Sequence, residues 1–177
     1  MEGSSSHDGK GLIPFNNKND SLITVRNMRI SDDVSKLGAW ITAANNNLLP
    51  PTFTDQLSRE YASLLLSPFF QCLVIEIEGT PVLLVEIYHE NFAGMIPVDV
   101  NTEENALLLK WFFNPLEDHG VVRTCLHHLL QMAHDGGTSN IWMEIEKGSM
   151  EETIAYKCGF SKVEKYELLV HRKDAKQ

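Results

Sequence analysis

Three glutamates and a tyrosine give the first chemical signal. In VLLVEIY, residues 82–88, Glu86 and Tyr88 alternate with Val85 and Ile87. In an extended chain they therefore share one face with Leu84. The segment is otherwise too apolar for a fully exposed strand, which makes Glu86 a candidate to hold a cation or take a proton. In WMEIE, residues 142–146, Glu144 and Glu146 share a face opposite Met143 and Ile145 and could do the same. The competing reading of each glutamate is an ordinary solvated strand face. His89 and His119 would flank such a cleft as further acid/base or binding groups, and Trp40 would wall it.

A second signal is EDHGVVRTCLHHLL, residues 117–130. A glycine opens an apolar-periodic helix just after a strand-like run. The first N–H groups of a helix lack partners and sit at the positive end of its dipole, an arrangement that suits a phosphate. The donors would be the N–H groups of His119, Gly120, Val121 and Val122, with Arg123 adding charge from the first turn. The acids Glu117 and Asp118 keep the other reading open: a helix start whose dipole they balance. His127 and His128 are adjacent, so they point about 100° apart on a helix and are not a metal pair.

These groups need a scaffold, and periodicity supplies one. Residues 22–30 alternate as a strand, and Ser31 with two aspartates signals a helix start. Thr54 can cap a second helix to residue 66. Residues 70–90 read as a hairpin about Glu78, Gly79 and Thr80. ALLLKWFF, residues 106–113, is apolar enough for a strand buried on both faces. The helix opened by Gly120 is ended by HDGGTSN (134–140), with Gly136 or Gly137 as its cap, and NIWMEIE (140–146) is a strand. Ser149 with Glu152 marks a short helix closed by Gly159, and 162–172 adds one or two strands. The strand–helix–strand unit over 106–146 implies a parallel crossover and the hairpin implies antiparallel pairing. The expected fold is α/β, a mixed, mostly antiparallel central sheet with helices on both faces. Residues 1–20 are expected to form a flexible tail before a single domain over 21–173.

Composition narrows the function. The chain has 177 residues and a formal charge of −9, which disfavours nucleic acid as a partner and is compatible with a cationic amine. Three widely spaced cysteines, Cys72, Cys125 and Cys158, read as buried thiols in a reducing compartment. No signal pattern or bilayer-length apolar run appears, so the expectation is a cytoplasmic protein without a membrane partner; an oligomer is possible.

The hairpin EIEGTPVLLVEIY, the strand–turn–helix around Gly120 and the close IAYKCGF followed by a strand together resemble the GNAT superfamily of acyl-CoA N-acyltransferases. Within it, EGTPVLLVEIY and IPVDV look most like the branch that acetylates hydroxamate-siderophore precursors. The resemblance spans residues 22–172. It implies acetyl-CoA or another acyl-CoA as cofactor and a small amine as substrate. The backbone of Leu108, Leu109, Lys110 and Trp111 would align pantetheine, and the turn over His119, Gly120, Val121, Val122 and Arg123 would meet the pyrophosphate. Glu86 with Glu144 or Glu146 would be catalytic, and Tyr88, His89 and Trp40 would contact substrate. Laid on the family's loop, only Gly120 matches; Glu117 and Val122 depart from it. Ala106 stands where that branch has a histidine, and Ala155 where many members have a tyrosine acid. These departures support the alternative of a degenerate binding or acyl-CoA-sensing module.

Overall fold

The computed structural model describes residues 22–46, 48–89, 106–163 and 168–172. The expected tail over 1–20 and the irregular stretch over 90–105 lie outside them. The elements run β1 (Ile23–Asn27), α1 (Ile30–Ala44), α2 (Phe53–Leu64), β2 (Phe70–Ile77), β3 (Thr80–Tyr88), β4 (Ala106–Phe113), α3 (His119–Asp135), β5 (Asn140–Glu144), α4 (Met150–Lys157), β6 (Ser161–Val163) and β7 (Leu168–Arg172). The strands form one sheet in the order β1-β2-β3-β4-β5-β7-β6. Every pairing is antiparallel except β4 with β5. The α/β fold expected from the sequence, a mostly antiparallel mixed sheet with helices on both faces, is the one observed.

Helix periodicity assigns the faces. Val122, Leu126, Leu129, Leu130 and Ala133 of α3 and Ile154 and Ala155 of α4 are buried against Leu83, Val85, Ile87, Leu107, Leu109 and Met143. The opposite face packs Val34 and Leu37 of α1 and Leu57 and Tyr61 of α2 on Phe70, Cys72, Val74 and Leu84. The first two helices approach closely: a Cβ on Gly38 would stand 2.8 Å from Thr54 Oγ1.

The hairpin turns through Glu78 and Gly79, both at positive φ (49° and 77°), as a two-residue turn matched to strand twist requires. Its register then shifts by one between Ile75 and Glu76. Val82 is the extra residue, and Val82 and Leu83 are both buried in the α3/α4-side core. This bulge sets Cys72 opposite Glu86; unbroken pairing from the turn would set it opposite Val85.

Three boundaries differ from expectation. Helix α1 starts at Ile30 with Arg29 as its N-cap, ahead of Ser31. The reason is Asp33, whose Oδ2 accepts the Arg29 N–H at 2.6 Å and so supplies the cap from inside the helix. Helix α2 starts at Phe53, and its N-cap Thr52 makes no side-chain cap bond, so Thr54 is not the cap. Strand β5 ends at Glu144, and Glu146 lies beyond it with its carbonyl accepting the Ser149 N–H at 3.2 Å. The turn that starts α4, with Gly148 at φ 80°, takes the chain out of the sheet. The expected face shared by Glu144 and Glu146 therefore does not form. The other terminal signals act as read: the Ser149 hydroxyl accepts the Glu152 N–H, and Gly137 and Gly159 take positive φ after α3 and α4.

Asp33 also ties β1 to α1. It is 2% exposed and accepts two hydrogen bonds from the Arg26 guanidinium at 2.7 and 2.8 Å; Arg26 reaches Glu76 on β2 as well. Burial pushes the Asp33 carboxyl up, but the Arg26 bonds and the Arg29 N–H outweigh it and hold it below its ordinary 3.8. A carboxylate so depressed stabilises the fold above its unfolded value and loses that contribution as pH falls through the folded one. Asp33→Asn is expected to cost on the order of 2–3 kcal/mol at neutral pH. Urea unfolding at pH 7 and pH 3 should show the two proteins converging at the lower pH.

Candidate active site

Strand β4 is paired to β3 from Leu83↔Phe113 to Tyr88↔Leu108. Its pairing to β5 is shorter, from Ala106↔Asn140 to Leu109↔Met143. The next residues along, Lys110 and Glu144, are no longer partners, while β4 continues to Phe113. The two parallel strands thus part, and the main-chain groups of residues 110–113 that point away from β3 have no β5 partner. Leu108 and Leu109 lie inside the ladder, so their main chain is committed to β5. This corrects the expectation that pantetheine would align along Leu108, Leu109, Lys110 and Trp111: only Lys110 and Trp111 stand beyond the fork.

On the α1/α2 side, cross-strand register places Cys72, Glu86 and Lys110 in one row leading to the fork. Glu86 is 5% exposed. Tyr61, on α2, donates its hydroxyl proton to Oε1, and Tyr88 donates to Oε2 at 2.9 Å. Both carboxylate oxygens therefore have partners, as a buried carboxylate requires. Burial, and then the charge of Glu86, push both phenols above their ordinary 10.0. The same two causes raise the Cys72 thiol. Tyr88 is half-buried and its ring packs edge-on to Phe70 at 5.2 Å. Lys110 is exposed, with Nζ 5.4 Å from the Phe112 ring centroid. Glu144 and Glu146 are exposed, and Glu144 stands at the fork on β5. Trp142, in the row of Tyr88 and Leu108, is 4% exposed, and its indole N–H has no hydrogen-bond partner among the described residues, a donor that a ligand oxygen would satisfy. Trp40 is half-buried against the α1/α2-side core.

His89 is not part of this group. It follows Tyr88 on the opposite face, is buried, and its Nε2 lies 3.3 Å from Gln71 Oε1. Alternation of side chains carries it away from Glu86. His134 is likewise a packing residue, its Nδ1 2.8 Å from the Thr138 carbonyl.

The other side of the fork leads to α3. Trp111, Phe113 and His119 form a run of ring contacts at 6.0 and 6.2 Å. Beside them a cavity of about 230 Å³ is lined by His119, Gly120 and Arg123 of α3 and by Met150, Thr153, Ile154 and Lys157 of α4. The two helices are joined at its edge by the Cys158 thiol, 3.6 Å from the Arg123 carbonyl. Val122 is fully buried in the core, so its bulk does not face the cavity as the loop comparison implied. The helix start itself carries an anion already: Asp118 Oδ1 accepts the N–H groups of Gly120 at 2.8 Å and Val121 at 3.2 Å. The Val122 N–H goes to the Asp118 carbonyl at 3.1 Å. A Cβ on Gly120 would stand 2.9 Å from Asp118 Oδ1. Sequence reasoning missed Tyr61, Thr153 and Lys157. Tyr61 was legible as apolar-face spacing on α2, but no local pattern says that its hydroxyl meets Glu86.

The fork thus leaves β4 main chain beyond the β5 ladder, and Arg123 and Lys157 line the cavity between α3 and α4, while the helix start holds its own carboxylate. No protein-family model matches the chain, and no curated protein matches it. Solved structures do. An uncharacterized protein from Bacillus halodurans is 20% identical with a TM-score of 0.66, covering 85% of this chain and 83% of its own. An aminoglycoside acetyltransferase in complex with coenzyme A and kanamycin is 14% identical with a TM-score of 0.64, over 85% of this chain and 95% of its own. The PaiA N-acetyltransferase of Thermoplasma acidophilum, in complex with coenzyme A, is 14% identical with a TM-score of 0.58, over 85% and 99%. The likeness is one of fold: this chain has the GNAT fold.

The Glu86 cluster is open to a direct check. Of the four tyrosines, Tyr61 and Tyr88 are expected to stay protonated above the range in which an ordinary phenol ionises, and Glu86→Gln is expected to lower the titration of both. Ultraviolet titration of the native protein reads this.

Proposed function

We propose that the chain is an acyl-CoA-dependent N-acyltransferase acting on a small amine. The single observation that supports this most is the parting of β4 and β5 beyond Leu109, beside a helix start and a cavity lined by Arg123 and Lys157. Bound acyl-CoA would supply a thioester, an electrophile with a thiolate leaving group. The chain's part is to hold the amine and take its proton. Tyr88 stands between Glu86 and the open side. Its hydroxyl accepts a proton from the amine as its own passes to Glu86 Oε2. A phenol held above its ordinary value stays protonated at rest and acts as a shuttle, so the proton settles on Glu86 and neutralises its carboxylate. Tyr61 holds Glu86 in position. Glu144 at the fork offers a counter-charge to a protonated amine, a role the net charge of −9 supports at long range. The hairpin EGTPVLLVEIY supports a hydroxamate-siderophore precursor as the amine, and the same reading takes residues 21–173 as one cytoplasmic acyltransferase domain.

A second reading, a GNAT-fold module that binds or senses acyl-CoA without transfer, is favoured by one observation. Ala155 is fully buried where the resemblance implies a tyrosine acid, and Tyr156 is turned to solvent and bonded to Glu152 at 3.2 Å. Calorimetry with acetyl-CoA followed by a thiol-release assay over an amine panel separates the two. Release is expected, and binding without release would select the sensing module. In the active case Glu86→Gln is expected to lower kcat by about 10²-fold, with Tyr88→Phe close to it and affinity for the donor unchanged. Full activity of Glu86→Gln would remove the proton-shuttle role.

A further inference from the structure

In most helices an exposed N-terminus is an available phosphate site, but here a side chain of the same turn fills it. The Asp118 carboxylate takes the N–H groups of Gly120 and Val121 at 2.8 and 3.2 Å. Its oxygen stands 2.9 Å from where a Cβ on Gly120 would be, which is the space a close-approaching anion needs. The Asp118 N–H is taken in turn by Glu117 Oε1 at 3.2 Å. A phosphate arriving at this turn meets a carboxylate already bonded to its donors, and a second acid beside it. The donors and the charge are both against it.

Cations are nonetheless present one turn away. The α3–α4 cavity is lined by Arg123 from α3 and by Thr153 and Lys157 from α4. The Cys158–Arg123 contact fixes the spacing of the two helices there. Accepting the acyltransferase reading, we propose that Asp118 closes the start of α3 to phosphate, and that the donor's diphosphate is held instead by the side chains of Arg123 and Lys157 across the α3–α4 cavity. The donor class is unchanged, a pantetheine thioester carrying a diphosphate. What differs is that side-chain charge, and not main-chain N–H groups, recognises its anionic end.

Asp118→Gly tests this, because glycine is tolerated at a helix N-cap, removes the carboxylate and frees the Gly120 N–H, while Val121 keeps its bond to the residue-118 carbonyl at 3.0 Å. Calorimetry compares CoA with pantetheine, which lacks the phosphates, in the wild-type protein, Asp118→Gly, Arg123→Gln and Lys157→Gln. Asp118→Gly is expected to bind CoA about tenfold more tightly and pantetheine unchanged. Each cation variant is expected to bind CoA about tenfold more weakly, again without effect on pantetheine. Equal or weaker CoA binding by Asp118→Gly, or cation variants that bind like wild type, would overturn the proposal while leaving the acyltransferase reading in place. Absence of CoA and pantetheine binding in all four folded proteins would overturn that reading, and this proposal with it. Circular dichroism melts of each variant establish that they are folded.

Discussion

Strand β4 has two neighbours and treats them differently. Against β3 its ladder runs to Phe113; against β5 it stops at Leu109. A main chain in a sheet interior must place its N–H and C=O groups somewhere, and leaving them without partners in a dry interior is costly. The chain avoids that cost by opening the sheet where β5 turns off toward α4, so the groups of residues 110–113 line a gap and not a core. The rest of the arrangement follows from that departure. It brings the start of α3 and the first turn of α4 together at one end of the gap, and leaves Lys110 and Glu144 uncovered at its mouth. It also leaves the row from Cys72 through Glu86 ending on an open side.

The Glu86 row shows how an ion is kept in an apolar sheet. Its strand neighbours Val85 and Ile87 are fully buried, and the two phenols meet it from different elements, one from α2 and one from β3 itself. The positioning of α2 is therefore part of the site. Gly38, by letting the first two helices touch, sets how far Tyr61 reaches. The opposite face is covered by aliphatic side chains of α3 and α4. One sheet thus separates an acidic, tyrosine-lined side from a dry one that ends in cations.

Much of this was legible from residue order. Every strand and helix was marked by its period or its punctuation, and 106–113 was bounded correctly because an apolar run between an acid-rich stretch and an Asn-Pro turn leaves little freedom. Glu86 and Tyr88 were read onto one face by simple alternation. What alternation could not give was anything that depends on contact between distant segments. The place where β4 and β5 separate is set by where β5 turns off toward α4, so the stretch Leu108 to Trp111 straddles the end of the ladder. His89 was drawn toward the site by its position in sequence, and the pleat sends it to the other face. The acids at Glu117 and Asp118 were visible, but whether a carboxylate caps a helix or merely neighbours it depends on its rotamer. Tyr61 could be placed on a helix face, and its partner, twenty-five residues along, could not.

The extra residue at Val82 has a consequence for how this sequence can change. Between the turn and Glu86 the hairpin holds an odd surplus of one, and parity decides which side of the sheet each later side chain occupies. Loss of that surplus, with every other amino acid kept, would leave Leu83 opposite Ile75 and Glu86 opposite Cys72, on the sides they now occupy. Keeping Val82 but pairing the strands without the bulge would instead exchange the two sides from Leu83 onward, turning the acid into the aliphatic layer and valine toward the tyrosines. A relative aligned across this hairpin with one residue fewer and no bulge should be read with the same set of side chains facing the gap.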